Sequence, residues 1–283
     1  MSLRNESFLA DVDGSGQCFD EILQEKSVSE RPVVLHSRKS FLTDSENWIY
    51  PQVSALTRYE GHVVTAAVEN VDSYSLPAHR LHVSPALISG TLNRLFRALG
   101  RTGYIPRYSS RRLQGVGAAI LHSHFGNQAY FDLSLARALK LPHVVTFYGY
   151  DLSRLPRIPV WRDRFAELFA SATVFLVEGE FMAGTLQKIG CPREKIRVRR
   201  LGVDPQAHPY IDRRNRDGGD VRILVGGRFV PKKGIPDALK AIVRLAGRRS
   251  DVRLTVVGDA GTGHAREQEQ KRQILDLLDR SEL

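Results

Sequence analysis

"VRILVGGRFVPKKGIPDALKAI", residues 221–242, runs from an apolar stretch through three glycines and three cations into a helical pattern. VRILV has the β-branched, apolar character of a strand. In IPDALKAIVRLA, Ile235, Leu239, Ile242 and Ala246 recur at a 3,4 spacing and mark one helix face. A strand that passes through glycines straight into a helix is the repeating unit of an open α/β sheet. Cations crowded at such a turn repel one another, which raises the question of an anion held among them. Gly226 and Gly227 let the backbone approach a ligand closely, and the helix beginning near Gly234 or Ile235 offers unpaired N–H groups. Arg228 has the fork to grip phosphate oxygens, and Lys233 adds a point charge. The spacing is neither the P-loop, which needs Gly-Lys-Ser/Thr, nor the GxGxxG dinucleotide fingerprint. From these residues alone two readings stand, an anion site and a glycine-rich strand exit with solvated lysines.

Outward from this stretch, similar apolar runs recur at VVLHS (33–37), HVVTAAV (62–68), GAAILHS (117–123), HVVTF (143–147), TVFLV (173–177) and VRLTVVG (252–258). In NQAYFDLSLARAL, Ala129, Leu133, Ala136 and Leu139 mark a second helix face. Strands alternating with helices predict an α/β chain with parallel sheets covered on both faces. The charged, glycine-bearing RRNRDGGD (213–220) reads as a linker. The expected organisation is a polar extension over 1–31, a Rossmann-like domain over 32–212, the linker, and a second, incomplete Rossmann-like unit over 221–283.

The 283 residues are ample for a core, and 42% hydrophobic with 25% charged residues is a soluble globular composition. No apolar run approaches the ~18 residues of a membrane span. The first residues carry acids and no apolar core of a secretory signal. Two cysteines, Cys18 and Cys191, exclude a disulfide framework and fit a reducing cytoplasm. The net charge of +10 points to anionic partners.

Two stretches bear on the chemistry. HSHFG (122–126) closes one predicted strand and TFYGYD (146–151) the next. Ligands of open α/β sheets bind outside the carboxyl ends of strands, so both fall on one rim. His122 and His124 share a strand face, and either a hydrogen-bonded pair or a metal site follows; the nearby sequence offers no third ligand, and no metal is expected. Asp151 either caps a turn or belongs to the cleft. Between Ser73 and Phe131 there is no acidic residue but seven arginines. In GTLNRLFRALGR, Leu92, Leu95, Phe96 and Leu99 form one face, with Arg94, Arg97 and Arg101 on another. An interfacial helix for an anionic membrane and a core helix with a solvated cationic side both fit. No nucleic-acid motif accompanies the charge.

From about Val33 onward these stretches, in their order and spacing, resemble the family-four glycosyltransferases of the GT-B fold, the retaining enzymes that build bacterial exopolysaccharide and lipopolysaccharide. DSENWIYPQVSAL is similar to that family's Ser-Glu-Thr-Phe-Ile stretch. ILHSHFG with LARALKLPHVVTFYGYD is similar to its His-Ala-His-Phe-Gly and Thr-Phe-His-Gly-x-Asp pair. LQKIGCPREKIRVRRLGVD matches the segment leaving the N-terminal domain, and GGRFVPKKGIPDALKAI the opening of the donor domain. The resemblance implies that Gly226, Gly227, Arg228 and Lys233 hold the diphosphate of a nucleotide-sugar donor, with Lys232 a solvated neighbour. It implies a glycan or lipid-linked acceptor near His124, Tyr148 and Asp151, no metal and no further cofactor, and a cytoplasmic enzyme, peripheral on the inner face of the membrane. No enzymic nucleophile is named.

The chain departs from the pattern. Tyr148 stands where the family has a histidine, so a hydrogen bond is retained but no cation near neutral pH. The loop HSRKSFLTD lacks the glycines of many relatives, and Arg38 and Lys39 either compensate or are solvated. The family's donor domain continues well past Ser-Glu-Leu, so a truncated donor domain with exposed apolar faces is expected, inactive alone. The rival expectations are a non-catalytic remnant that binds acceptor or membrane, and another GT-B enzyme such as a nucleotide-sugar epimerase.

Overall fold

Short β-branched runs become parallel strands, and each helix that follows lays an apolar stripe on the sheet. The computed structural model describes residues 31–83, 112–206, 208–212, 220–261 and 265–280. The expected interfacial segment with Arg94, Arg97 and Arg101, and all but the last residue of the expected linker, lie outside them. The chain divides into two compact units, Met1–Gly202 and Val203–Leu283.

The first unit contains β1 (Val33–Ser37), β2 (Ser40–Phe41), β3 (Glu60–Thr65), β4 (Ala67–Val68), β5 (Leu81–Val83), β6 (Ala118–His124), β7 (His143–Thr146), β8 (Val174–Val177) and β9 (Ile196–Val198). Its main helices are α1 (Ile49–Ser54), α2 (Gly126–Leu139), α3 (Tyr150–Ser153), α4 (Val160–Ser171) and α5 (Glu180–Lys188). Seven strands form one sheet in the order β5-β3-β1-β6-β7-β8-β9, with every pairing parallel. β1 is buried at all five positions, as expected of a parallel strand covered on both faces. The predicted stripe of α2 is the packed one: Ala129, Leu133 and Ala136 are buried. An aromatic core of Phe147, Trp161, Phe165, Phe169 and Phe175 fills the space between β7, β8 and α4.

From the centre of this sheet the chain winds outward in two directions, β1 to β3 to β5 and β6 to β7 to β8 to β9. The reversal between β1 and β6 is the switch point at which crevices of open α/β sheets form. There His36 pairs with His122 and Ser37 with Ser123.

The second unit holds β10 (Val221–Gly226), α6 (Ile235–Ala246), β11 (Val252–Val257) and α7 (Ala265–Asp279). β10 and β11 pair in parallel from Val221↔Val252 to Gly226↔Val257. Ile235, Leu239 and Ile274 pack with Val225, Leu254 and Val256 on one face of this pair. On the other face Leu224 is 69% and Val257 56% exposed, so an apolar strip lies open.

Candidate functional site

The strand period of two puts His36, His122 and His124 on one face of the sheet at the switch point. All three are buried. His36 Nδ1 lies 3.0 Å from His124 Nε2. His124 Nδ1 lies 2.7 Å from the Tyr148 hydroxyl, which Gln52 Nε2 approaches at 3.2 Å. His122 Nε2 meets Thr146 Oγ1 at 2.7 Å. Gln52, Tyr148, His124 and His36 thus form a hydrogen-bonded chain from α1 into the sheet.

Electrostatics keep this chain neutral. Burial, reinforced by His143, pulls His122 down to about 4. Burial and the neighbouring imidazoles hold His36 and His124 well below the ordinary histidine range. Burial also raises Tyr148, so its hydroxyl keeps its proton. The site offers hydrogen bonds and nitrogen lone pairs, not fixed positive charge.

Asp151, fully buried, ties two turns together. Its carboxylate accepts from the backbone N–H of Gly126 at 2.9 Å, Tyr148 at 3.1 Å and Gly149 at 2.9 Å. These three donors favour the ionised form, yet burial prevails and pushes the group up to about 6. Ahead of Gly126 the chain turns sharply, with Phe125 at φ 75°. A Cβ on Gly126 would stand 2.3 Å from the Phe147 ring, so the strand-to-helix turn after His124 needs glycine. Arg38 lies 4.2 Å over the Phe125 ring and grips Glu46 with two bonds of 2.6 and 2.5 Å.

On the opposite sheet face, Ser123 lies 2.6 Å from Asp132 Oδ2 and 2.8 Å from His143 Nε2. The serine stands between acid and imidazole and is itself fully buried. A nucleophile would need an open side, so this trio braces β6, β7 and α2.

In the second unit the glycine turn lies at the carboxyl end of β10. Gly227 and Gly258 bring the two strand ends together; a Cβ on Gly258 would fall 2.0 Å from the Gly227 carbonyl oxygen. Arg228 is ion-paired with Glu267 of α7, whose other oxygen accepts the Gly261 N–H at 2.8 Å. Lys233 ends the short 3-10 turn Pro231–Lys233, with Gly234 left-handed at φ 63° before α6. The Lys233 stem runs beside Gly227, where a Cβ would stand 3.7 Å from its Cδ and Cε.

Residues 45–207 match the family described as Glycosyltransferase Family 4. The chain belongs to that family. It is 27% identical over 156 residues to the amylovoran biosynthesis glycosyltransferase AmsK of Erwinia amylovora, covering 54% of this chain and 38% of AmsK. It is 30% identical over 119 residues to WcaL of Escherichia coli K12, by name a colanic acid biosynthesis glycosyltransferase, covering 40% of this chain and 27% of WcaL. The matched stretches thus span well under half of those relatives. Among solved structures, HepE of Anabaena in complex with UDP and glucose superposes with a TM-score of 0.62 at 15% identity, covering 89% of this chain and 68% of HepE. At that identity the likeness establishes the fold, which is GT-B.

Within this Family 4 chain the residues singled out from sequence fall into two groups, one in each unit. His122, His124, Tyr148 and Asp151 come together at the switch point. Gly226, Gly227, Arg228 and Lys233 line one turn of the second unit. Four participants were missed: His36, Gln52, Glu46 and Glu267. His36 was signalled by a polar residue inside an otherwise apolar strand run. Arg38 is engaged by Glu46, and Lys39 is exposed.

Proposed function

We propose that the protein carrying this sequence transfers a sugar from a nucleotide-diphosphate donor to a polysaccharide or lipid-linked acceptor, with retention of configuration and without a catalytic metal, at the cytoplasmic face of the membrane. The observation that carries this reading is the turn after β10, where Arg228 and Lys233 accompany glycines ahead of α6, in the order that the resemblance to the family implies for a diphosphate site. Breaking the sugar–phosphate bond leaves charge on a nucleotide diphosphate, and fixed cations stabilise that charge as it develops. The guanidinium supplies a fork and the ammonium a point charge. In the first unit, His124 and Tyr148 are assigned to the acceptor side, where the neutral phenol offers a hydrogen bond. HepE is described in complex with UDP, so UDP is the probe of choice.

The test is calorimetry. Arg228→Ala is expected to weaken UDP binding by roughly 1.5–3 kcal/mol, the range for a charge-assisted hydrogen bond, with Lys233→Ala acting in the same direction. Unchanged affinity in both variants would return the motif to a solvated turn. Arg94, Arg97 and Arg101 are assigned to an anionic membrane surface. Replacing all three with Gln should lower binding to anionic vesicles and leave neutral vesicles unaffected.

A further inference from the structure

We propose that His36, His122 and His124 form a binding site for one divalent ion of borderline softness, Zn2+ or its spectroscopic stand-in Co2+, at the β1/β6 switch point. The nitrogens they offer all lie within 4.8 Å of one another. Sequence proximity supplied two imidazoles; the register of β1 against β6 supplies the third by pairing His36 with His122. Two nitrogens on one tetrahedral Zn2+, each at ~2.0–2.1 Å, stand about 3.3–3.4 Å apart. His36 Nδ1 and His124 Nε2, at 3.0 Å, are already almost so placed, and their only mutual partner is a shared hydrogen.

The surrounding groups complete the argument. Ligating imidazoles place their remaining N–H on an outer partner, which fixes tautomer and ring orientation. His124 turns its other nitrogen to the Tyr148 hydroxyl oxygen, and His122 turns Nε2 to Thr146 Oγ1, leaving its Nδ1 for the ion. The hydrogen between His36 and His124 is redistributed rather than lost. His36 carries its hydrogen on Nε2, His124 on Nδ1 and His122 on Nε2, so three neutral imidazoles each keep one proton and present one lone pair. Binding therefore releases no proton from the ligands. Three nitrogen donors suit Zn2+ and its first-row neighbours rather than Mg2+ or Ca2+. The inference is independent of the donor-binding proposal, which assigns the diphosphate to Arg228 and Lys233.

The experiment uses the full chain, free of any polyhistidine tag and stripped with chelator, titrated with Zn2+ by calorimetry and with Co2+ by absorption. Expected are one equivalent of ion and the ligand-field bands of a low-coordinate nitrogen site. His36→Gln and His122→Gln should each lower affinity at least roughly tenfold. Tyr148→Phe, which leaves all three ligands in place, should lower it by about 10–100-fold, the range for an outer-shell partner. This variant keeps the test decisive if a ligand variant fails to fold, as judged by circular dichroism. Folded parent protein that takes up no stoichiometric Zn2+ or Co2+ overturns the proposal. So does binding that survives His36→Gln and Tyr148→Phe unchanged, or that is lost instead in His79→Gln, which lies in the separate cluster around Glu60.

Discussion

The histidines of the first unit and the cations of the second meet solvent in opposite ways. His36, His122 and His124 are buried in a seven-stranded sheet and neutral; His124 is bonded to His36 and to Tyr148, and His122 to Thr146. Arg228, half-exposed, sits at the end of a two-stranded sheet with one face open and is ion-paired with Glu267. Burial selects lone pairs and hydrogen bonds; exposure permits full charge. The first arrangement suits directed contacts to a neutral group or an ion, and the second suits recognition of an anion that arrives with its own charge.

The largest expected effect tests whether the two units differ in packing as they do in polarity. Phe147→Ala removes a ring fully buried in the aromatic core and should cost about 3–5 kcal/mol. Leu224→Ala, on the open face of the second unit, should stay within about 0.5 kcal/mol. Both are read from urea unfolding followed by circular dichroism. A cost for Leu224→Ala comparable to that of Phe147→Ala would mean that this face is covered in solution, and the contrast would fail.

Acid should separate the units next. Burial is the leading cause that holds His62, His122 and His143 at about 4 in the folded chain. Unfolded histidine titrates near 6.5. Between those values the unfolded state binds more protons, so stability rises with pH across this window and falls on acidification. Each such residue should remove roughly 1–2 kcal/mol by pH 5 in metal-free protein. Asp132 and Asp151, pushed up to about 6, act in the opposite sense and offset part of the loss. Burial raises Glu178 as well, but His36, His82 and His124 are also lowered, so six histidines oppose three acids. The resolved carboxylate shifts of the second unit, at Asp251, Asp259 and Glu269, are downward, and stability linked to them is lost only at lower pH. Both tryptophans, Trp48 and Trp161, lie in the first unit, so tryptophan fluorescence reports on it alone. The contrast breaks if the fluorescence midpoint in urea does not fall between pH 7 and 5.

A smaller effect is expected at Asp151. Asp151→Asn keeps one acceptor oxygen for three backbone donors and should cost about 1–3 kcal/mol in stability. A variant of unchanged stability would weaken the turn-binding role and return Asp151 to the cleft.

How much of this was legible beforehand follows from where each signal lives. Strand runs and helix faces are local periodicities, and VVLHS (33–37) and the stripe Ala129, Leu133, Ala136 stand where the sequence put them. His122 and His124 were legible as a pair because they are two residues apart on one strand. His36 was not, because its neighbourhood depends on the register of β1 against β6, which no local pattern encodes. Glu267 escaped for a related reason. In AREQEQKRQ it is one charge among several in a polar stretch, and only the fold brings it to Arg228.

The smallest effect is the one that decides what Glu267 does for Arg228. Glu267→Gln removes the negative charge beside the guanidinium while keeping a carbonyl oxygen for the Gly261 N–H. With Arg228 half-exposed, the ion pair contributes no more than ~1 kcal/mol. An incoming diphosphate must share or displace that partner, and it is also repelled by the same carboxylate. Both terms vanish in the Gln variant, so UDP affinity should rise, by up to about fivefold for ~1 kcal/mol. The opposing term is order: without the carboxylate the arginine samples more rotamers, and fixing it on the ligand costs about 0.5–1.5 kcal/mol. The two contributions are similar in size, but the carboxylate's repulsion falls on the multiply charged ligand itself, and this favours a net gain. Calorimetry on parent, Glu267→Gln and Arg228→Ala separates the cases. A gain in Glu267→Gln with a loss in Arg228→Ala identifies Glu267 as a competitor that holds the arginine until the donor arrives. A loss in both makes it a positioning residue, and the exposed turn of the second unit would then be as pre-arranged as the buried chain of the first.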